Sequence, residues 1–197
     1  MNIGIALMAK APLPGLAKTR LAPRLGPAGA AALAERLLDH AVAQAAVAAP
    51  GAVTLWVAPD DSHPAFQRQR TRHGVALRLQ PEGDLGVRML AVFSHRAPLL
   101  LMGTDAPALD AAMLRAAAAA LQDHDAVFVP ALDGGYALIG LQHPQPALFD
   151  AMPWSTPAVM ALTRQRLAAA GLRHAELPPV PDIDEPADLA HLPPGWV

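Results

Sequence analysis

Residues 3–21 read IGIALMAKAPLPGLAKTRL: an apolar run of strand length, Ile3–Met8, followed at once by a loop carrying both lysines of the chain, Lys10 and Lys18, beside Arg20. The other 13 basic residues are arginine. A compact ammonium on a long stem can reach a phosphate oxygen that a planar guanidinium must meet in a fixed plane, so the two lysines point to a phosphate-binding loop. Lys18-Thr19 looks like the end of a P-loop, but the glycines that motif needs fall at Pro12 and Ala17, which cannot supply its amide cradle. The prolines imply instead a stiff loop bent at Gly15, holding Lys18, Thr19 and Arg20 over a diphosphate with little ordering entropy to lose.

Outward from this strand and loop, apolar runs alternate with helix-length segments. Strands are expected at Val53–Val57, Ala76–Leu79, Pro98–Met102, Ala126–Val129 and Tyr136–Leu141. Helices are expected at Pro27–Ala48, Ser62–Arg72, Leu85–His95 (capped by Asp84), Ala108–Leu121, Pro157–Ala170 and, as a short last turn, Pro186–His191. Such alternation implies an α/β fold: a three-layer α/β/α sandwich around a mostly parallel sheet. The closely spaced pair 126–129 and 136–141 should add an antiparallel element. No repeat or linker interrupts the pattern, and residues 1–197 are read as one domain.

Composition closes several routes. Hydrophobic residues make up 53% of the 197 and charged residues 16%, which excludes a disordered chain. The net charge of −2 gives no global attraction to nucleic acid or an acidic membrane, so phosphate recognition must be local. The absence of cysteine excludes a disulfide scaffold, a thiolate zinc site and a cysteine nucleophile. The eight histidines show no ligand spacing. With no signal-peptide pattern at Met1–Lys10 and no spanning run, the expectation is a cytoplasmic protein.

In open α/β sheets, ligands sit beyond the carboxyl ends of the strands. Polar and glycine-containing segments follow the strands in just those places: GDLGVRM (83–89), GTDAP (103–107), DGGY (133–136) and, near the end, DIDEPADL (182–189). Asp105 is either an N-cap for the helix that follows or a hard oxygen ligand for Mg²⁺. Asp182 and Asp184 are read as facing opposite sides of an extended segment, so that one of them joins Asp105 at a shared metal; capping is the other reading of Asp184. Asp84 and Arg88 lie at the same edge, with helix capping accounting equally for Asp84. Tyr136, the single tyrosine, either packs as a core aromatic or stacks at the site. Trp154 reads as a helix entry or an acceptor platform.

KAPLPGLAKTRL (10–21), QPEGDLGVRM (80–89), GTDAP (103–107), DGGYALIGL (133–141), WST (154–156) and DIDEPADL (182–189) together resemble a bacterial family of glycosyltransferase-A-like (GT-A) proteins. They do so in order and over almost the whole chain. Some members are associated with arsenosugar biosynthesis. The first and last motifs are also similar to molybdenum-cofactor and 2-phospholactate nucleotidyltransferases of the same superfamily. Glu185 departs from the pattern, which commonly has threonine there. The resemblance implies a nucleotide-diphospho-sugar transferase fold and a Mg²⁺- or Mn²⁺-dependent transferase. Its partners would be a nucleotide sugar, or a nucleoside triphosphate, and a small acceptor, with no nucleic acid or membrane involved. Metal ligands would be Asp105 with Asp184 or Asp182. The phosphate and nucleotide site would comprise Lys10, Gly15, Lys18, Thr19, Arg20, Asp84, Arg88 and Tyr136, with Lys18 and Asp133 catalytic, Asp133 taking the acceptor's proton. Glycosyl transfer is the leading reading and nucleotidyl transfer the second. A non-catalytic nucleotide-binding protein of the same fold is the third.

Overall fold

The computed structural model describes residues 3–196. Seven strands form one sheet in the order β3-β2-β1-β4-β6-β5-β7. These are β1 (Gly4–Lys10), β2 (Val53–Ala58), β3 (Ala76–Leu79), β4 (Leu99–Met102), β5 (Ala126–Pro130), β6 (Tyr136–Leu141) and β7 (His174–Glu176). β1 pairs in parallel with β2 and β4, β2 with β3, and β5 with β7. β6 runs antiparallel between β4 and β5, as the short spacing of 126–129 and 136–141 implied. The mostly parallel sheet with its single reversed strand is the expected architecture.

Burial explains the composition of the strands. β4 (LLLM) and β5 (AVFVP) are buried along their whole length, so both faces must be apolar, as in a sheet covered on both sides. Alternate residues feed two separate cores. Ile5, Leu7, Leu55, Val57, Leu100 and Val127 pack under α1 (Ala22–Ala48), α2 (Pro64–His73) and α4 (Ala111–Asp123). Ala6, Trp56, Leu101, Phe128 and Ile139 pack under α3 (Leu85–His95) and α5 (Val159–Ala169). Burying each of these large side chains contributes roughly 1.5–3 kcal/mol relative to exposure, which sets the two-sided stacking of helices.

α1 is two helical pieces. Gly26 (φ 70°, ψ 161°) interrupts it, and the long piece restarts at Pro27, where proline's fixed φ suits a first turn. A third apolar cluster lies beyond the sheet. Leu21 from the first loop, Ala30, Leu33 and Leu37 from α1, and Ile183 near the end bury one another. Leu189, Leu192 and Trp196 pack against them. This cluster clamps the C-terminal segment, including the 3₁₀ turn Pro186–His191, across the first loop. Among the described residues, no helix is long and apolar enough to cross a membrane.

Candidate active site

A cleft of about 710 Å³ opens at the carboxyl edge of the parallel strands. Met8–Lys10 at the end of β1, Leu101–Asp105 at the end of β4, and Tyr136, Ala137 and Ile139 of the reversed β6 line it. The first loop and the segment around Asp182 and Asp184 close its sides.

The first loop owes its shape to buried residues on either side of Lys18. Gly15 takes a positive φ of 78°, and the Ala17 N–H donates to the Leu13 carbonyl (2.9 Å). Leu21 is fully buried, and its N–H donates to the Lys18 carbonyl (2.9 Å). Lys18 sits between these anchors in the left-handed region (φ 47°, ψ 45°), a conformation that costs a non-glycine residue about 1 kcal/mol or more. That backbone sends its side chain inward, where it is 8% exposed. The ammonium lies 2.6 Å from Asp105 Oδ1 and 2.7 Å from Asp184 Oδ1. Burial acts to lower the Lys18 pKa, but the charges of Asp105 and Asp184 and their hydrogen bonds outweigh it, holding the pKa above the ordinary lysine value.

Asp105 is not a helix cap. Asp110 fills that role for α4, its carboxylate accepting from the Met113 N–H at 2.8 Å. The Asp105 carbonyl accepts from the Ile183 N–H (2.9 Å), which ties β4's loop to the C-terminal segment. Asp184 is positioned from the other side: its N–H and that of Glu185 both donate to Asp188 Oδ2, at 3.0 and 2.7 Å. The expectation that Asp182 and Asp184 face opposite ways is corrected here. They are two residues apart, the repeat of an extended chain, so they share a face and both line the cleft. The intervening Ile183 points the other way, into the third cluster. Asp182 lies beside Asp133; burial first, and the Asp133 charge second, push its carboxyl up to about 6. Glu185 stays outside the cleft lining, exposed, 3.9 Å from the Arg20 guanidinium.

The remaining candidates divide clearly. Lys10, Thr19, Arg20, Arg88, Asp133 and Tyr136 line the cleft with Lys18, Asp105, Asp182 and Asp184. Gly15 and Asp84 do not: Gly15 forms the loop's bend, and Asp84 caps α3 by accepting from the Val87 N–H at 2.9 Å. Arg88 is held by the Gly83 carbonyl (2.9 Å). Its neighbour Gln80 donates to the carbonyls of Ala9 and Trp56, both at 3.0 Å, lacing the ends of β1 and β2. Asp133 accepts from the Gly135 N–H (2.7 Å) in a tight turn and stays exposed. Tyr136 packs as the core aromatic that one of the two readings gave. It packs edge-on to Phe128 (5.5 Å) and Trp154 (6.5 Å), burial pushes its phenol pKa up, and it still borders the cleft.

Thr104, Ser155 and Thr156 also line the cleft, though they were not among the candidates. Their signal was present: small hydroxyl residues in GTDAP and WST, beside residues already singled out. Among the described residues no three His, Cys, Asp or Glu side chains converge as a closed metal site. Asp105 and Asp184 nevertheless each place one oxygen on a single cation, the Lys18 ammonium. Magnesium typically takes one or two carboxylates and completes its shell with water and phosphate, so this pair fits an open Mg²⁺ or Mn²⁺ site.

Sheet order and cleft position together define the nucleotide-diphospho-sugar transferase fold. A protein from Desulfovibrio desulfuricans G20, provisionally named a nucleotide-diphospho-sugar transferase, shares it with TM-score 0.83 and 28% identity, covering 95% of this chain and 84% of that one. CMP:2-keto-3-deoxy-manno-octonic acid synthetase, solved with CTP, shares the fold at TM-score 0.60 and 14% identity, over 97% of this chain and 96% of that one. Rv0371c of Mycobacterium tuberculosis H37Rv, solved with manganese, does so at TM-score 0.56 and 17% identity, over 96% of each chain. No curated protein matches the chain. Residues 38–156, more than half of it, match DUF2064, described as an uncharacterized protein conserved in bacteria, and the chain belongs to that family.

Proposed function

We propose that this protein is a metal-dependent transferase that draws on a nucleotide-activated donor, and that it transfers a glycosyl group from a nucleotide sugar to a small acceptor. The observation that carries the reading is the division of the cleft. Among the described residues, Lys10, Arg20 and Arg88 supply positive charge without forming a close ion pair to any carboxylate of the cleft, while Asp105 and Asp184 converge on one cation. A diphosphate bridging a metal and a basic wall needs both halves. The fold's likeness to the Desulfovibrio protein, over 95% of this chain, supports the nucleotide-sugar form.

Asp105 and Asp184 would hold Mg²⁺ or Mn²⁺, which supplies Lewis-acid stabilisation of the departing diphosphate. The chain's own groups divide the remaining work. Lys10 and Arg20 reach the phosphates from the loop, Arg20 in a two-pronged contact. Arg88 meets them from the first turn of α3. Charge that builds on the leaving oxygen is met by these donors, of which Arg88 is already held in place by the Gly83 carbonyl. Asp133, exposed at the acceptor side on a tight turn, takes the proton from the attacking hydroxyl. Tyr136 and Trp154 form an apolar wall against which a sugar or base can lie.

Nucleotidyl transfer from a nucleoside triphosphate is the second reading. The lysine-bearing loop favours it, because Lys10 and Lys18 beside Arg20 could neutralise a departing pyrophosphate, and the synthetase of the same fold holds CTP. A thermal-shift panel of nucleoside triphosphates and nucleotide sugars, each with and without Mg²⁺, separates them. Ligand at a hundred times its Kd adds about 2.7 kcal/mol, roughly 5–10 °C for a chain of this size. A Mg²⁺-dependent shift with a nucleotide sugar and its loss in Asp105→Asn is the expected result. A shift with a triphosphate alone makes the second reading correct. No shift with any of them would leave only a fold without nucleotide function.

A further inference from the structure

The cation joining Asp105 to Asp184 is the chain's own. We propose that Lys18 is the resident counter-ion of the two-carboxylate site and is exchanged for the divalent metal, so that metal and phosphate ligand enter the cleft together. The proposal rests on the reading of Asp105 and Asp184 as metal ligands and adds what Lys18 does to them.

Three observations carry it. The ammonium occupies the meeting point of the two carboxylates, 2.6 and 2.7 Å from one oxygen of each, which is where a shared divalent ion would have to sit. The lysine side chain is 8% exposed while the two carboxylates are 45% and 44% exposed, so the carboxylates face the open cleft with the lysine packed between them. Its backbone is held left-handed by the buried anchors Ala17 and Leu21, so the inward orientation is built into the loop. A divalent ion and an ammonium cannot both sit within contact distance of the same two oxygens, because like charges that close repel strongly in a partly desolvated site. Metal entry therefore requires Lys18 to leave at least one carboxylate.

A released ammonium in this cleft needs an anion. The other carboxylates of the cleft, Asp133 and Asp182, lie close to each other, with Asp184 near Asp182. The first-loop side, from which Lys18 projects, holds cations: Lys10 and Arg20. The phosphates of an incoming ligand are the complementary partner, so ligand binding frees the carboxylates for metal and metal frees the lysine for phosphate. By linkage the two effects are equal in size. In the ligand-free protein, Lys18 acts as a guard that keeps the pair from capturing a stray metal ion.

The test is Mn²⁺ binding without nucleotide, followed by the electron paramagnetic resonance of free Mn²⁺, in wild type, Lys18→Met and Asp105→Asn. The expected result is at least ten-fold tighter binding of one Mn²⁺ by Lys18→Met than by wild type, and none by Asp105→Asn. Equal or weaker binding in Lys18→Met than in wild type overturns the exchange while leaving the metal site standing. No binding to Lys18→Met, or undiminished binding to Asp105→Asn, overturns the metal site and the exchange with it. Should Lys18→Met fail to fold, the wild type answers alone. The chain has two lysines, so protein labelled with ¹³C at the lysine ε-carbon gives one signal each for Lys10 and Lys18. Saturating Mg²⁺ should move the Lys18 signal toward that of exposed Lys10. A Lys18 signal unmoved at Mg²⁺ concentrations that displace Mn²⁺ overturns the exchange.

Discussion

Gly134 shows how tightly single residues set the Asp133 side of the cleft. It has φ 93°, and a Cβ there would lie 2.4 Å from the Pro157 carbonyl oxygen and 2.6 Å from Pro157 Cα. Both obstacles are backbone, so neither can swing aside as a flexible side chain would. The Gly134 carbonyl also accepts from the Met160 N–H at 2.8 Å, fastening the Asp133 turn to the start of α5. Gly134→Ala combines an unfavourable φ with a backbone clash, and should destabilise the protein by at least about 2 kcal/mol. A urea-unfolding midpoint measures it. A loss below half a kilocalorie per mole would mean that the turn moves freely and that Asp133 is not held where the structure has it.

Among the elements, β7 was the one strand the sequence did not reveal. His174–Glu176 is three residues long and partly exposed, with no apolar alternation to mark it. What makes it a strand is tertiary: parallel pairing with Ala126–Phe128 and a two-pronged ion pair from α5, with Arg164 Nε and NH2 each 2.7 Å from a Glu176 oxygen. β4 and β5 were legible because both their faces are buried, which writes continuous apolar runs into the chain, whereas β3 is mostly exposed and was placed by its position in the strand–helix alternation. Local signals also started one helix early, at Ala108: α4 begins at Ala111 with Asp110 as its N-cap, and only the fold decides between the two readings of Asp105 by leaving it to the cleft. The spacing of Asp182 and Asp184 was readable as a shared face, since a repeat of two keeps alternate residues together. What no spacing could show is that Ile183 between them is anchored.

The Glu176 pair makes β7 pH-sensitive. The Arg164 hydrogen bonds hold the Glu176 carboxyl below its ordinary pKa of 4.5. A lowered carboxylate pKa gives stability that is present above the unfolded-state value and is lost as pH falls through the folded one. Amide exchange, corrected for its intrinsic pH dependence, should therefore show protection of residues 174–176 dropping below about pH 4.5 while the centre of β1 is unaffected. Arg164→Met should shrink that step, leaving the part due to His174, 3.4 Å from Glu176, and lower protection at neutral pH by the modest amount an exposed pair contributes, about 1 kcal/mol or less. Protection that is flat between pH 7 and 3.5 in wild type would show that pairing with β5 alone holds the strand.

Across the whole molecule, the site depends on a contact 162 residues apart in sequence, between Leu21 and Ile183, and not on the sheet alone. The sheet delivers Lys10 and Asp105 to the cleft, but Asp184 comes from the C-terminal segment, where Ile183 is buried against Leu21, Leu33 and Leu37 while its N–H binds the Asp105 carbonyl. Ile183→Ala should therefore do two things. Loss of a fully buried isoleucine side chain should cost about 2–5 kcal/mol of stability. It should also loosen Asp184 from Lys18 and Asp105, weakening the proposed nucleotide and metal binding. Leu121→Ala separates the two effects, because Leu121 is equally buried in α4 and lies outside the cleft lining. With both variants held well below their melting temperatures, Ile183→Ala should lose at least ten-fold in Mg²⁺-dependent nucleotide affinity by calorimetry, and Leu121→Ala less than two-fold. Equal affinities would mean that Asp184 keeps its place without the clamp. The cleft would then be organised by the sheet edge and first loop, with the C-terminal segment serving only to cover the apolar flank of α1.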